Sequence, residues 1–565
     1  MMKASDLLVR CLEREDIKYI FGVPGEENAD FMMSLQKSSI QFVLTRHEQG
    51  AAFMAEVHGR LTGEPAVCLG TLGPGATNLI TGVADGNMDR APMLVITGQG
   101  ATTRQHKESH QIMDVVEMYK PVTKWAASIR HPDSIPEMVR KAVRLTRSEK
   151  PGAVLLELAE DIAKMDAKAE PIEPHRYRRP QCDAKSLSEA VELIRQAKQP
   201  IIIAGNGMMR RRATPQLRRL VEVTGIGVIS TFMGKGAVAR TSPYCLYTIG
   251  LQQKDYPAFA VDEADLVITI GYDLVEYPPR LWNPKGEKKI IDIDTLPAEI
   301  DHQYQANVEL TGEIATNLAL LTEALEQGKH PKYDLPRQAH WRDKMTEDLA
   351  AHKDDATEGT IRPQKVLWDV REALGPCDIL LSGVGAHKMW IARYYHCDEP
   401  NTCIIPNGFC SMGLPLPGAI AAHLVAPDLA VANPATGKEK KPEPNIFAIC
   451  GDGDFLMNVQ EMETARRLNT NITVMVWEDG GYGLIAWKQD NEFGKHTDLA
   501  FGNPKWLDLA NAFGWQGQYV SKAKDLAPAL RKAIDHKGPS LVVVPIDYRE
   551  NPLLTKRLGE LAVKI

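Results

Sequence analysis

The chain alternates short apolar runs with amphipathic segments along most of its length. The apolar runs predict buried strands, and the segments between them repeat apolar residues at helical spacing. Strands separated by helices are typical of parallel sheets, so the expected fold class is α/β. The predicted strands lie at 19–23, 41–45, 66–71, 93–97 and 153–158; at 200–204, 227–231, 266–270 and 289–293; and at 378–382, 446–450, 472–477 and 541–545.

Two polar segments divide this pattern into three blocks. The first, at 164–185, carries prolines, and the second, at 328–363, is charged and has a helical patch inside it. A chain of 565 residues is also too long for one core. We therefore predict three doubly wound parallel-sheet domains, at 1–170, 186–330 and 360–550. A polar stretch at 433–445 is expected to be a solvated loop.

Charge and cysteine usage narrow the class of protein. The net charge is −7 and no basic patch is present, which argues against nucleic acid or an anionic membrane as the main partner. The nine cysteines form no CxxC pair and predict reduced thiols rather than zinc ligands or disulfides. The first residues resemble an amphipathic helix rather than a signal peptide, and no apolar run is long enough to span a bilayer. A cytoplasmic protein is expected.

Two carboxylates follow neighbouring strands of the third block. Asp452 stands in Gly-Asp-Gly directly after the strand at 446–450, and Asp479 stands in Glu-Asp-Gly-Gly directly after the strand at 472–477. The carboxyl ends of parallel strands form the ligand-binding edge of a doubly wound sheet. Paired carboxylates, a free carbonyl and glycines that allow close backbone approach suit Mg²⁺ together with a diphosphate. An ordinary turn with solvated acids is the alternative.

Glu48 is the candidate acid of the first block. It follows the strand at 41–45 and opens a segment of small and apolar residues at 49–55. A carboxyl group in such surroundings is poorly hydrated, which favours its protonated form. This is the setting of a general acid. The alternative is a helix-terminal acid that only interacts with the helix dipole.

Together these motifs resemble the thiamine diphosphate (ThDP) signature, in which Gly-Asp-Gly is followed, after a helix and a strand, by Asn-Asn. This chain departs from it at the end, where Glu478-Asp479 replaces the two asparagines. The resemblance implies that Asp452 and Asp479 are side-chain ligands of Mg²⁺ and that Gly481 offers its carbonyl. It also implies that Glu48 hydrogen-bonds the aminopyrimidine ring and thereby promotes formation of the ylid.

The resemblance assigns further residues to cofactor binding. One turn would approach the aminopyrimidine, a second glycine-rich turn opens a helix, and backbone amides of the third block would take the far end of the diphosphate. Met412 would prop the cofactor into its bent shape. The predicted set is Pro24, Gly25, Asn78, Gly385, Ala386, His387, Met412, Gly451, Asp452, Gly453, Asp454, Asp479, Tyr482, Leu484 and Ile485.

Longer stretches resemble acetolactate synthases. They lie at 46–48, 73–78, 110–115, 121–124, 461–468 and 547–554, and those at 110–115 and 547–554 look like the catabolic branch, which dispenses with FAD. Biosynthetic members carry Gly-Met-His-Gly and Arg-Phe-Asp-Asp in the middle domain. This chain has Ile-Gly-Leu-Gln-Gln at 249–253 and Gly-Tyr-Asp-Leu-Val-Glu-Tyr at 271–277, so FAD is not expected.

The family resemblance implies a reaction and an assembly. Pyruvate would be decarboxylated on ThDP, and the hydroxyethyl carbanion would add to a second pyruvate to give 2-acetolactate and CO₂. Gln111 is the candidate for hydrogen bonding to substrate. In this family Glu48 of one subunit meets the Mg²⁺ site of another, so a homodimer is the minimum and a tetramer is expected.

Other functions stay open at this point. A 2-keto acid decarboxylase or an aldehyde carboligase would use the same cofactor, and an FAD-containing biosynthetic synthase is a further alternative. A non-enzymatic member of the family would not need Glu48, Asp452 and Asp479 together. A nicotinamide oxidoreductase would need a GxGxxG motif and a downstream acid, which are not found as a pair.

Overall fold

The computed structural model describes residues 2–175, 179–209, 213–250, 255–328, 330, 332–430, 442–552 and 554. This part of the chain contains three six-stranded sheets, and every strand pair within them is parallel. The α/β class with three doubly wound sheets is therefore confirmed. The residue limits of the domains remain our proposal. Residues 251–253 and most of the polar stretch at 433–445 lie outside the described residues.

The first sheet has the strand order β3-β2-β4-β5-β7-β6. Alternate residues of its strands face opposite sides: Val95 packs into one apolar cluster, and its neighbours Leu94 and Ile96 pack into another. Both faces are thus covered by helices. Its strands are β2 Tyr19–Gly22, β3 Gln41–Leu44, β4 Ala66–Gly70, β5 Met93–Gln99, β6 Trp125–Ile129 and β7 Ala153–Ala159. Two further strands, β1 Met2–Lys3 and β8 Asp166–Ala167, form a separate antiparallel pair. The helices are α1 Ala4–Arg14, α2 Ala29–Leu35, α3 Glu48–Thr62, α4 Pro74–Met88, α5 Val115–Tyr119, α6 Ile135–Arg147 and α7 Glu160–Lys164.

The middle sheet has the order β11-β10-β9-β12-β13-β14. This is the arrangement of a dinucleotide-binding fold, whose switch point lies between the first and fourth strands. The strands are β9 Pro200–Ala204, β10 Val228–Ser230, β11 Cys245–Thr248, β12 Leu266–Ile270, β13 Lys289–Asp294 and β14 Val308–Thr311. The helices are α8 Ala184–Gln196, α9 Ala213–Thr224, α10 Tyr256–Asp262 and α11 Ile314–Gln327, with α12 Pro336–Ala350 in the predicted helical patch of the second polar segment.

The third sheet has the order β16-β15-β17-β18-β20-β19. Its inner face shares one apolar cluster with the first sheet, because α15 packs directly against α3. The strands are β15 Ile379–Ser382, β16 Cys403–Ile404, β17 Ile446–Gly451, β18 Ile472–Glu478, β19 Gln516–Tyr519 and β20 Ser540–Pro545. The helices are α13 Pro363–Ala373, α14 Ala386–Tyr394, α15 Pro415–Leu429, α16 Asp452–Leu456, α17 Glu461–Arg467, α18 Gly483–Phe493, α19 Trp506–Ala512 and α20 Ala523–Asp535.

The helical pattern after Asp452 is interrupted. The sequence predicts one helical segment between the two carboxylate turns, but the structure has two short helices, α16 and α17, separated at 457–460. The break turns Asn458 inward, where its side-chain amide donates to the carbonyl of Gly413, 2.9 Å away. No helix in the described part of the chain has the length and apolar character that a bilayer crossing requires.

The switch point of the middle sheet is closed by the protein itself. The buried carboxylate of Glu276 accepts the backbone N–H of Asn206 at 2.9 Å and the hydroxyl of Thr231 at 2.5 Å. A Cβ on Gly205 would lie 2.5 Å from the carbonyl oxygen of Gly271, so the two turns already touch. In nucleotide-binding members of this fold class, the backbone N–H groups at this edge face phosphate groups.

Glu276→Gln is expected to remove a pH-dependent loss of stability. Burial and then the charge of Asp273 raise the pKa of Glu276 to about 8 in the folded protein, whereas the unfolded chain titrates near 4.3. At pH values between these two pKa values, Glu276 is protonated only in the folded state, so the free energy of unfolding falls as the pH rises through this range. The neutral glutamine keeps the acceptor oxygen for Asn206. Its melting temperature should exceed that of the wild type by about 2–4 °C at pH 9 and by much less at pH 5.

Thermal melts at pH 5, 7 and 9 measure this difference. Glu287→Gln is the matched control, because Glu287 is exposed on the same domain. An advantage of the Glu276 variant that is equal at all three pH values would contradict a protonated Glu276.

Candidate active site

The turns after β15, β17 and β18 line a cavity of about 120 Å³ at the carboxyl edge of the third sheet. Every residue that the sequence predicts for this domain lies in its wall. These residues are Gly385, Ala386, His387, Met412, Gly451, Asp452, Gly453, Asp454, Asp479, Gly481, Tyr482, Leu484 and Ile485. Val384, Gly483 and Tyr548 complete the lining and are additions to the predicted set.

Asp452 and Asp479 form a close pair of carboxylates in this wall. One oxygen of the fully buried Asp452 accepts the backbone N–H of Gly480 at 2.7 Å and the side-chain amide of Asn503 at 2.8 Å. Burial and then the charge of Asp452 raise the pKa of Asp479 to about 7. The charge of Asp452 therefore disfavours ionisation of Asp479, and a cation between the two carboxylates would relieve this repulsion. The donor set fits Mg²⁺, which prefers oxygen ligands.

Glu478, where the ThDP signature has its first asparagine, does not line the cavity. Its carboxylate accepts the indole N–H of Trp506 at 2.7 Å, the hydroxyl of Tyr519 at 2.8 Å and the amide of Asn503 at 3.3 Å. These contacts hold the side chain between β18 and β19. The Glu478 side chain therefore stabilises the edge of the sheet, and it adds no third carboxylate to the cavity.

Two residues of the cavity wall each have a buried polar atom without a hydrogen-bond partner among the described residues. The two atoms are Nε2 of His387 and Oδ2 of Asp454, which lie 3.6 Å apart. A Cβ on Gly383 would lie 1.7 Å from that aspartate oxygen, and one on Gly451 would lie 3.1 Å from the histidine ring. Buried polar groups in native proteins are nearly always satisfied, so a polar ligand is expected here. The first amides of α14 and the imidazole of His387 are the donors in this wall that fit a diphosphate.

The first domain assembles the other predicted residues at the carboxyl edge of its own sheet. Glu48 opens α3 and is buried, and its carboxylate accepts the side-chain amide of Asn78 at 2.9 Å. Gly75 keeps the neighbouring turn close, since a Cβ there would lie 3.3 Å from the other Glu48 oxygen. The helix is capped by His47, whose Nδ1 accepts the backbone N–H of Gln49.

Gln111 and the turn at 24–25 lie at the same edge. The backbone of Gln111 is left-handed, with φ of +59°, and its exposed side chain adjoins Gly73, whose Cβ would lie 3.0 Å away. Gly25 packs against Thr71, which leaves no room for a side chain, and Pro24 is exposed beside it. These residues and Glu48 form a second group, separate from the cavity of the third domain.

The mouth of the cavity is apolar and open. Tyr482 and Ile485 of the cavity wall are 40% and 47% exposed, and Met457, which lines a neighbouring pocket with Tyr482, is 42% exposed. Exposed apolar side chains grouped around a polar cavity indicate a contact surface. The described residues thus form two separate groups, one around Glu48 and one around the carboxylate pair.

Sequence reasoning missed Tyr548 and Asn503 as site residues. Tyr548 lies in the tail at 547–554, which the family resemblance marks as distinctive, so a signal was present. Burial and then the charges of Asp479 and Asp452 raise its pKa well above the ordinary tyrosine value, which places its ring beside the carboxylate pair. Asn503 carries no such signal, because a single amide in a polar loop has no distinguishing pattern.

Three family models match the chain in order. They are described as thiamine pyrophosphate enzyme, N-terminal TPP binding domain, at residues 2–118; central domain, at 187–321; and C-terminal TPP binding domain, at 383–544. Thiamine pyrophosphate is another name for ThDP. The protein is therefore a ThDP-dependent enzyme.

Relatives that match over nearly the whole chain indicate which family of ThDP-dependent enzymes the protein belongs to. The chain is 30% identical to the acetolactate synthase of Bacillus subtilis, covering 99% of this chain and 96% of that protein. It is 32% identical to the catabolic acetolactate synthase of Raoultella terrigena, covering 98% and 97%. It is 34% identical to a chloroplastic acetolactate synthase of Nicotiana tabacum, covering 98% and 83%. The chain belongs to the acetolactate synthase family.

Proposed function

We propose that the protein is an FAD-independent acetolactate synthase of the catabolic type. It decarboxylates one pyruvate and joins the remaining two-carbon unit to a second pyruvate, releasing 2-acetolactate and CO₂. The observation that carries the proposal is the cavity in which the Asp452–Asp479 pair adjoins the unpartnered polar atoms of His387 and Asp454. A decarboxylase that releases acetaldehyde is the other outcome of the test.

The third domain holds the cofactor in this proposal. Asp452, Asp479 and the carbonyl of Gly481 bind Mg²⁺, and the amides that begin α14 bind the diphosphate together with His387. When bound, ThDP supplies a nucleophilic ring carbon and an electron sink for decarboxylation. Met412 lies in the cavity wall, where an apolar side chain fixes the orientation of an aromatic ligand.

Glu48 holds a proton for the ring nitrogen of the aminopyrimidine. The hydrogen bond from Asn78 fixes one carboxylate oxygen, so the other is directed toward the ligand. The turn at Pro24 and Gly25 approaches the ring from the same sheet edge. General acid–base catalysis of this kind depends first on geometry, which the start of α3 provides.

Joining two substrates requires that water be kept from the reacting carbon. Leu484 and Ile485 contribute apolar surface to the cavity, and the apolar mouth is suited to closure by a second subunit. Gln111 hydrogen-bonds the substrate from the first domain, where its exposed side chain lies beside Gly73. A dry, preorganised pocket would then favour addition of the two-carbon unit to the second pyruvate over protonation of that unit.

The closed switch point supports the absence of FAD. The carboxylate of Glu276 already binds the amide of Asn206 and the hydroxyl of Thr231 at this edge, so these groups are not free to bind a phosphate. Sequence identity alone does not separate the two branches of the family, because the catabolic and the chloroplastic relatives match nearly equally.

We propose a homodimer with shared active sites as the minimal unit, and a tetramer as the full assembly. Glu48→Gln and Asp452→Asn subunits should each be nearly inactive alone, yet regain activity when mixed after reversible dissociation. Half of the dimers are then mixed, and each holds one intact site, so about a quarter of wild-type activity is expected. Mixtures that stay inactive, while mass analysis shows mixed dimers, would contradict sharing.

A product assay tests the proposed function. Purified protein is incubated with pyruvate, ThDP and Mg²⁺ without FAD, and acetolactate and acetaldehyde are measured together. Mostly acetolactate supports both the carboligase activity and its independence from FAD. Mostly acetaldehyde identifies a decarboxylase, and activity that appears only with FAD overturns the assignment to the catabolic branch.

A further inference from the structure

A buried carboxylate of the third domain contacts the turn that carries Glu48. Glu461, at the start of α17, has no exposed surface. Its Oε1 accepts the backbone N–H of Arg46 at 3.0 Å and that of His47 at 3.1 Å, and its Oε2 accepts the hydroxyl of Thr464 at 2.6 Å. These contacts join two domains of one chain directly next to the candidate acid.

Burial of this carboxylate needs a structural reason. No described lysine, arginine or histidine forms an ion pair with Glu461, and burial raises its pKa. A charged group without a counter-ion is costly to bury unless hydrogen bonds replace its water. The amides of Arg46 and His47 lie between β3 and α3, where neither the sheet nor the helix supplies an acceptor. The carboxylate and the turn therefore satisfy each other.

The residues around Glu48 pack closely against the Glu461 carboxylate. A Cβ on Gly50 would lie 2.9 Å from Oε1 of Glu461, so the carboxylate fits against the first turn of α3 only because that residue is glycine. Arg467, at the end of α17, donates to the carbonyl of Leu44 at the end of β3. The helix α17 thus forms hydrogen bonds with the chain before Glu48 and packs closely against Gly50 after it.

We propose that Glu461 is a positioning residue that fixes the turn at 46–47, so that the carboxyl group of Glu48 is held in place for proton transfer. This proposal rests on the proposed role of Glu48. Glu461 contacts neither the cavity nor the side chain of Glu48, and it acts through the backbone. Removing its oxygen leaves two amides unsatisfied and lets the turn shift.

Three variants of the full-length holoenzyme test the proposal at saturating ThDP and Mg²⁺. Glu461→Ala should lower kcat about 10-fold to 100-fold with little change in the KM for pyruvate, because small misplacements of a catalytic group have effects of this size. Glu461→Gln keeps the acceptor oxygen and should retain kcat within about 2-fold. Arg466→Ala, at an exposed position of the same helix, is the matched control and should equal the wild type.

A double variant shows whether Glu461 acts through Glu48. In a Glu48→Gln background, Glu461→Ala should cause no further loss of kcat, since residues that act as one unit are not additive. Gly50→Ala provides an independent variant should Glu461→Ala fail to fold. The new Cβ displaces the carboxylate without removing it, and the expected loss of kcat is again about 10-fold.

Several outcomes would overturn the proposal. They are an additive loss in the double variant, equal losses in Glu461→Ala and Glu461→Gln, or wild-type kcat in both Glu461→Ala and Gly50→Ala. Wild-type turnover in Glu48→Gln alone would remove the proposed role of Glu48 and this inference with it. A large loss in Glu48→Gln with none in the Glu461 and Gly50 variants would overturn only the positioning role.

Discussion

Glu48→Gln is expected to bind ThDP and Mg²⁺ normally and to lose most of its turnover, about 100-fold or more. The amide fills the same space and still contacts Asn78, so the fold and the cofactor anchors are kept. It does not exchange a proton, and the ring nitrogen of the cofactor then lacks its acid. Steady-state kinetics with pyruvate, combined with a binding titration of ThDP, separate the two effects.

A matched control comes from the end of the same helix. Glu64→Gln, just beyond α3, changes a partly exposed carboxylate that pairs with Arg147 and should leave turnover unchanged. Unchanged turnover in Glu48→Gln would refute the assignment of the acid. Loss of ThDP binding in that variant would show that Glu48 holds the cofactor rather than transferring a proton.

Asp452→Asn and Asp479→Ala are expected to weaken retention of Mg²⁺ and ThDP about 10-fold to 100-fold. Each removes a charged ligand from the carboxylate pair, whereas the acid in the first domain stays intact. Their activity should therefore recover in part at high Mg²⁺ and ThDP concentrations, unlike that of Glu48→Gln. Gel filtration followed by measurement of bound cofactor provides the direct readout.

Glu478→Gln serves as the control for the carboxylate pair. The amide oxygen of glutamine still accepts the indole N–H of Trp506, and its NH₂ group can donate to the hydroxyl of Tyr519. Glu478 does not line the cavity. Its cofactor affinity should remain within about 3-fold of the wild type. If this variant lost the cofactor while Asp479→Ala retained it, the metal-ligand assignment would be reversed.

The sequence predicted the interior strands of all three sheets and missed edge strands. The predicted strands that lie inside a sheet are buried on both faces and appear as continuous apolar runs. The missed strands are β6, β11, β14, β16 and β19, and each lies at the edge of its sheet. Edge strands are short or half-exposed, as in Gln516–Tyr519, and their apolar signal is correspondingly weak.

In the candidate site, the sequence predicted residues that directly follow strands and missed residues that come from distant loops. Gly-Asp-Gly and the turn at Asp479 follow strands directly, so sequence order placed them at one sheet edge. Tyr548 and Asn503 arrive from distant loops, and only the folded chain shows that they adjoin Asp452 and Asp479. The proposed pairing of Glu48 with the carboxylate pair of a second subunit would depend on assembly, which the periodicity of a single chain does not encode.

The closed switch point of the middle sheet bears on which cofactors the enzyme requires. The side chain of Glu276 binds the amide of Asn206 and the hydroxyl of Thr231 at the sheet edge where a dinucleotide-binding fold presents such groups to its ligand. In the proposed FAD-independent form, the enzyme would depend on one vitamin, thiamine, and on magnesium. It should then be colourless when purified and fully active without added flavin.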